Sequence, residues 1–243
     1  MNIIKVKSYQ DMSKKAAEFI IEKVRRTPSI TLGLATGGTP VGMYSQLIED
    51  HKENLTSYKD VSTFNLDEYI GLSGDNPNSY RYYMNDQLFN HIDVQKSKTN
   101  IPRGEVEDLQ KECADYENLI TENGGVDLQI LGIGSNGHIG FNEPGTSFDS
   151  QTHIIDLAPS TREENARFFD RLEEVPSQAI TMGIETIMKS KEILLLISGE
   201  QKRKALFQLL NGEISESFPA SVLRKHPCVT IIADEEAIGN TNI

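Results

Sequence analysis

Apolar residues recur along this chain in short blocks, and their spacing alternates between two periods. Ile30 to Ala35, Val61 to Leu66, Lys191 to Ser198 and Val229 to Ala233 are brief runs rich in Val, Ile, Leu and Phe. Another run begins at Val126 and is closed by Gly132. Runs of this length and composition predict strands buried on both faces. Between them the period lengthens. Met12, Ala16, Phe19, Ile20 and Val24 form a helical stripe within Tyr9 to Arg26, with Ser8 placed to cap it and Pro28 past its end. Similar patterns predict helices over Val41 to Glu49, Ser79 to Ile92, Glu107 to Asn123, Ser160 to Leu172, Ile184 to Met188 and Gln201 to Leu210. Asn2 to Lys7 reads as an edge strand, and Thr152 to Leu157 as a further strand. Strands alternating with helices predict an α/β fold: a Rossmann-like, doubly wound, mainly parallel sheet with helices on both faces. No repeat, low-complexity segment or linker interrupts residues 1–243, so one domain is expected.

Charge narrows the partners. The chain carries 24 Lys and Arg against 36 Asp and Glu, a net charge of −12. That balance opposes nucleic acid or an anionic membrane as a main partner. An anionic small substrate would need a local cationic pocket, which makes individual Lys and Arg residues informative. Cys113 and Cys228 lack metal spacing and read as two reduced, buried thiols. No leader pattern is visible, and the longest apolar run, Ile193 to Ile197, is far too short to span a bilayer. A cytoplasmic protein is expected.

Candidate chemistry gathers at the predicted strand exits, where open α/β sheets bind ligands. After the strand at Val126 comes a turn with Gly132, Gly134, Gly137 and Gly140, into which Asn136, His138 and Glu143 are set. An imidazole and a carboxylate there can move protons near neutral pH. Gly132-x-Gly134-x-x-Gly137 matches a dinucleotide fingerprint, but Gly140, Asn142, Pro144 and Gly145 break any helix after it. The same loop also reads as a tight turn with a structural histidine.

Three other exits stand beside it. Thr36-Gly37-Gly38-Thr39-Pro40 ends a strand where a helix should begin, and the amides of Gly38 and Thr39 would suit a phosphate. A plain strand–helix turn capped by Thr39 is the alternative reading of these residues. Asp67 and Glu68 end the strand at Val61 to Leu66; adjacent side chains on extended backbone point opposite ways. One is expected in the cleft and the other in a structural bond, unless both are solvated or capping. Lys202 follows Gly199 at the start of a helix, where the dipole disfavours cations, so an anionic ligand is implied. Arg167 lies in a helix rich in ion pairs that composition alone would not single out.

The segments LGLATGGTP, FNLDEY, GIGSNGHIGFNEP, TMGI, SGEQKRKAL and FPASVLRKH occur in order from Leu32 to His226. Together they resemble the glucosamine-6-phosphate deaminase family over essentially the whole chain. FNLDEY and GHIGFNEP are its specific motifs. The resemblance implies conversion of glucosamine 6-phosphate and water to fructose 6-phosphate and ammonia, with no cofactor and no metal, on a Rossmann-like fold. Asp67 resembles the base that moves a proton from C2 to C1. His138 resembles the residue that opens the sugar ring, with Glu143 and Asn136 as its partners. Gly38, Thr39, Arg167 and Lys202 resemble the phosphate-binding set, and residues 152–176 a mobile lid. Some members carry Asp where Asn136 stands; Asn cannot be a base, so it is expected to orient His138 or hold substrate.

Regulation does not carry over. Members activated by N-acetylglucosamine 6-phosphate bind it partly through basic residues just after FNEP, whereas Gly145 to Ile155 holds no Lys or Arg. His153 and Ile155 stand where cations are expected, and no strong activation is predicted. A homo-oligomer is left open. Two other readings compete: a 6-phosphogluconolactonase-like hydrolase, expected to lack the FNLDEY and FNEP pair, and a non-catalytic sugar-phosphate sensor, expected to carry a DNA-binding segment.

Overall fold

The computed structural model describes residues 1–166, 169 and 171–239. A seven-stranded sheet runs in the order β1 (Asn2–Val6), β10 (Val229–Asp234), β9 (Glu192–Ile197), β6 (Leu128–Leu131), β2 (Thr31–Leu34), β3 (Ser62–Asn65), β5 (Thr99–Asn100). Every pairing in it is parallel. The short apolar runs become its centre because both faces are covered. In β9, Leu194 and Leu196 enter one core with Met12, Ala16 and Ile20 of α1 (Tyr9–Arg26). Ile193, Leu195 and Ile197 enter the other with Ala205, Leu206 and Leu209 of α7 (Arg203–Asn211). Alternate residues of one strand thus feed two cores, which is the doubly wound arrangement expected from the pattern. Helix α2 (Val41–Asn54) joins the first core through Met43, Tyr44 and Leu47. Helix α4 (Leu109–Glu122) joins the second through Tyr116 and Ile120.

The strand order fixes where a ligand would go. From β2 the chain moves outward to β3 and β5, then returns to lay β6 on the other side of β2 before continuing to β9 and β10. The connections leaving β2 and β6 therefore diverge, opening a crevice at the carboxyl ends of these two neighbouring strands.

A second sheet was not legible in the pattern. β4 (Asp67–Tyr69), β8 (Gln178–Thr181) and β7 (His153–Asp156) pair antiparallel in the order β4-β8-β7. Leu66 alone separates β3 from β4, so one apolar run serves two sheets. The predicted strand at Thr152 to Leu157 is β7, and it belongs to this small sheet. Tyr69, Phe141, Leu157 and Ala179 form a small third core beneath it.

Three expectations change. The helix predicted over Ser79 to Ile92 is α3 (Tyr80–Met84) followed by a π-turn over Asn85–Phe89. The helix predicted from Ser160 to Leu172 is α5 (Pro159–Asn165), with a separate 3₁₀ turn at Leu172–Glu174. Cys113 is buried, but Cys228 is exposed, since it lies in the turn just before β10. The remaining short helices are α6 (Ile184–Met188) and α8 (Glu235–Ile238). No helix among the described residues is long and apolar enough to cross a membrane.

Candidate active site

The crevice between β2 and β6 holds a cavity of about 170 Å³. The exits of four strands meet there. From the β2 exit come Thr36, Gly37, Gly38 and Thr39. Gly37 takes a φ of +88° and its carbonyl accepts from the Tyr83 hydroxyl at 2.6 Å. The Gly38 carbonyl accepts from the Tyr9 hydroxyl at 3.1 Å, and that same hydroxyl accepts from the Gly42 amide at 2.9 Å. Two tyrosines from separate elements thus pin the loop from its carbonyl side. A Cβ on Gly37 or Gly38 would meet nothing within 4 Å, so ligand can approach this backbone closely. Thr39 does not cap α2; Pro40 stands at its N-cap, and the Tyr9 hydroxyl takes the first-turn amide of Gly42. Lys202 reaches the same cavity from the turn between β9 and α7.

The two carboxylates after β3 part company. Asp67 lines the cavity and is 6% exposed. Burial pushes its carboxyl up to about 8, and the neighbouring Glu68 adds to the rise. Glu68 turns the other way. Its Oε1 accepts from the amides of Tyr69 and Tyr80, and its Oε2 from the amide of Arg81, all at 2.9 Å. Hydrogen bonds to a charged group stabilise by about 1.5–3 kcal/mol each. Burial raises Glu68, but these donors oppose it and leave it at about 6. Glu68 is therefore the structural member of the pair. It ties β4 to the start of α3 and so sets Tyr80, whose ring stacks on Phe141 at 18° in the cavity wall.

His138 lines the same cavity as Asp67, carried by the loop after β6. Gly134 makes room for it: a Cβ there would fall 2.3 Å from ring atoms Cε1 and Nδ1. Behind the ring, Nδ1 stands 3.6 Å from Glu143 Oε1, within ion-pair range but too long for a hydrogen bond. Glu143 is held from two other sides. Thr161 Oγ1 donates to Oε1 at 2.5 Å, and Asn136 Nδ2 donates to Oε2 at 2.7 Å. Burial would raise this carboxyl, but the His138 imidazole, the Thr161 hydroxyl and the Asn136 amide outweigh it and hold it down to about 2. Asn136 also accepts from the His138 amide at 3.2 Å.

Of the residues singled out from the sequence, Asp67, His138, Gly38, Thr39 and Lys202 line one cavity. Glu143 and Asn136 stand behind His138, and Asn136 is exposed at the surface rather than in the cavity. Arg167 lies outside the described residues, and the suggested lid, residues 152–176, includes others that do. Thr36 and Phe141, which lie within the quoted motifs, also line the cavity, as do Tyr80, Thr161 and Asn165, of which the pattern gave no sign. The aromatic pair reads as core, and Thr161 and Asn165 sit on a charged helix that looks solvated.

Known proteins resemble this chain over nearly its whole length. The sequence model of the family described as glucosamine-6-phosphate isomerases/6-phosphogluconolactonase matches residues 6–232. A glucosamine-6-phosphate deaminase of Shouchella clausii is 60% identical over 237 residues, covering 98% of this chain and 96% of that protein. Glucosamine-6-phosphate deaminase 1 of Bacillus subtilis is 52% identical, covering 98% of each. Among solved structures, a monomeric glucosamine-6-phosphate deaminase superposes with a TM-score of 0.96 at 51% identity, covering 98% of each chain. A 6-phosphogluconolactonase from Trypanosoma cruzi shares the fold, with a TM-score of 0.80 at 21% identity over 100% of this chain and 97% of that one.

Proposed function

The chain belongs to the glucosamine-6-phosphate isomerase/6-phosphogluconolactonase family, and from that premise we propose that it works as a glucosamine-6-phosphate deaminase through the cavity between β2 and β6. It converts glucosamine 6-phosphate and water to fructose 6-phosphate and ammonia. The observation that carries the assignment of roles is the pairing of two proton-handling groups across one cavity: a buried, raised Asp67 and a His138 backed by an ionised Glu143.

The phosphate docks on the amides of Gly38 and Thr39 with Lys202 beside it, where exposed N–H groups and a cation favour an anion. Arg167 completes this set on the strength of the family resemblance. Anchoring one end of the sugar places its other end between Asp67 and His138. His138 moves the proton of the anomeric hydroxyl to the ring oxygen, which opens the ring. Glu143 fixes the tautomer by facing Nδ1, leaving the other nitrogen to the sugar.

Asp67 then takes the C2 proton and returns it to C1. As the C=C bond forms between C1 and C2, the C1 carbonyl oxygen becomes a hydroxyl by taking a proton from the substrate ammonium; the nitrogen lone pair so freed forms the C=N bond of a ketimine at C2 as C1 is protonated. Water adds there, ammonia leaves, and the ketone remains. A carboxyl near 8 is a stronger base than an ordinary one, which suits proton removal from carbon. The substrate ammonium beside it favours the ionised form at the moment it is needed.

We further place the enzyme in the cytoplasm, in amino-sugar catabolism and the use of N-acetylglucosamine. N-acetylglucosamine 6-phosphate is not a strong activator, because Gly145 to Ile155 offers its phosphate no Lys or Arg. The deciding experiment incubates the purified chain with glucosamine 6-phosphate and assays ammonia and fructose 6-phosphate together. Equal amounts of both are expected. Neither product, with hydrolysis of 6-phosphogluconolactone instead, overturns the reading.

A further inference from the structure

The half-buried Glu143 carboxylate has to serve three donors with two oxygens. Asn136 takes Oε2 at 2.7 Å. Thr161 takes Oε1 at 2.5 Å. The third donor is His138 Nδ1, which is buried, has no hydrogen-bond partner, and stands 3.6 Å from that same Oε1. A buried unpaired ring nitrogen costs stability unless it is poised for use. Closing the gap to a normal hydrogen bond needs a movement of less than about 1 Å, and such bonds in empty sites often tighten only when substrate is present.

Thr161 controls that gap from a different part of the chain. It is 4% exposed, and it sits in α5, between β7 and β8 of the small sheet. Neither element belongs to the loop that carries His138 and Glu143. A β-branched side chain has few χ1 choices, so its hydroxyl is a stiff donor. With Thr161 on one oxygen and Asn136 on the other, the carboxylate plane cannot rotate. We infer that Thr161 is a positioning residue for ring opening, its hydroxyl fixing the Glu143 oxygen onto which the His138 Nδ1 proton is directed. The inference rests on the deaminase reading. It makes α5 part of the catalytic geometry, although no atom of Thr161 needs to touch a reacting bond. The hydroxyl also helps keep Glu143 ionised, alongside His138 and Asn136.

The test compares Thr161→Val, Thr161→Ala and Thr161→Ser with the wild-type chain, using glucosamine 6-phosphate and assaying both products. Valine keeps the shape and removes the donor; alanine removes it without bulk; serine keeps it. The valine and alanine variants are expected to lose at least about tenfold in kcat with KM within about threefold, because misplacing a catalytic group costs rate more than binding. Serine is expected to rescue kcat to within about threefold. Variants lacking the hydroxyl with wild-type kcat overturn the inference. So does a loss that serine fails to rescue in a chain that melts like wild type. A wild-type chain without turnover overturns the deaminase reading itself.

Discussion

Asp67 and Glu143 are carboxylates serving the same cavity, and the protein treats them in opposite ways. Asp67 begins a strand, is buried, and meets another carboxylate next door; its carboxyl rises to about 8. Glu143 sits in a loop, is half-buried, and is surrounded by an imidazole, a hydroxyl and an amide; it falls to about 2. Burial pushes both upward, and Asp67 the more because it lies deeper; at Glu143 the donors reverse the sign. Donors decide. A carboxylate with donors on both oxygens is a fixed anion that organises its neighbour, while one without them is a base held ready. Glu68 makes the point from a third position: adjacent to Asp67 and equally buried, it receives three amides and stays at about 6.

The comparison breaks most visibly at Asp67. Asp67→Asn keeps the shape and removes the base, so kcat should fall at least about a hundredfold while sugar-phosphate binding persists. Near-normal turnover of the folded variant would remove Asp67 from the chemistry. Lys202→Ala probes the far end of the cavity and should act on binding instead. Losing a charge-assisted contact of about 1.5–3 kcal/mol should raise KM roughly tenfold or more, with kcat changed much less, and weaken competition by inorganic phosphate. Unchanged KM and phosphate inhibition would move the anion site elsewhere.

On the His138 side, Gly134→Ala puts a methyl group 2.3 Å from the ring. The ring must shift away from its place over Glu143, so kcat should drop at least about tenfold, with a displaced imidazole visible in a structure of the variant. The fourth prediction concerns pH. In the free enzyme Asp67 must lose its proton to act, so kcat/KM should rise with pH along a limb centred near 8, whereas Glu143 stays ionised down to about 2. A limb near 4 would mean that Asp67 is not desolvated as described.

The smallest effects are on stability, and their signs should differ. Asp67 has its folded pKa raised from 3.8 to about 8, so the folded state holds a proton the unfolded chain gives up, and stability is lost as pH rises across that window. Asp67→Asn should therefore melt above wild type at pH 8 by at least about 2 °C, the gap closing toward pH 4. Glu143 is lowered from 4.5 to about 2, so its contribution is present above pH 4.5 and lost as pH falls toward 2. Glu143→Gln should melt below wild type at pH 7 and converge with it in acid. Equal shifts of the same sign in thermal melts would show that the two carboxylates do not differ.

Hydrophobic spacing by itself determined the α/β class, the parallel strands and most helices, because strands buried on both faces and amphipathic helices have periods that local sequence must obey. The glycine-rich strand exits likewise located the candidate site, since close backbone approach and positive φ demand glycine wherever they occur. The motifs there picked out Asp67, His138 and Lys202. Which of Asp67 and Glu68 faces the cavity was decided by tertiary structure, through amides of α3 that lie twelve and thirteen residues away from Glu68. The small sheet was decided the same way, since β4 follows β3 after a single residue and pairs with a strand more than a hundred residues later. Thr161 is the extreme case. A threonine on a short charged helix has no local signature of function. Only the packing of that helix against a distant loop brings its hydroxyl to Glu143, because hydrogen bonds depend on where atoms end up in space and hydrophobic period does not encode that.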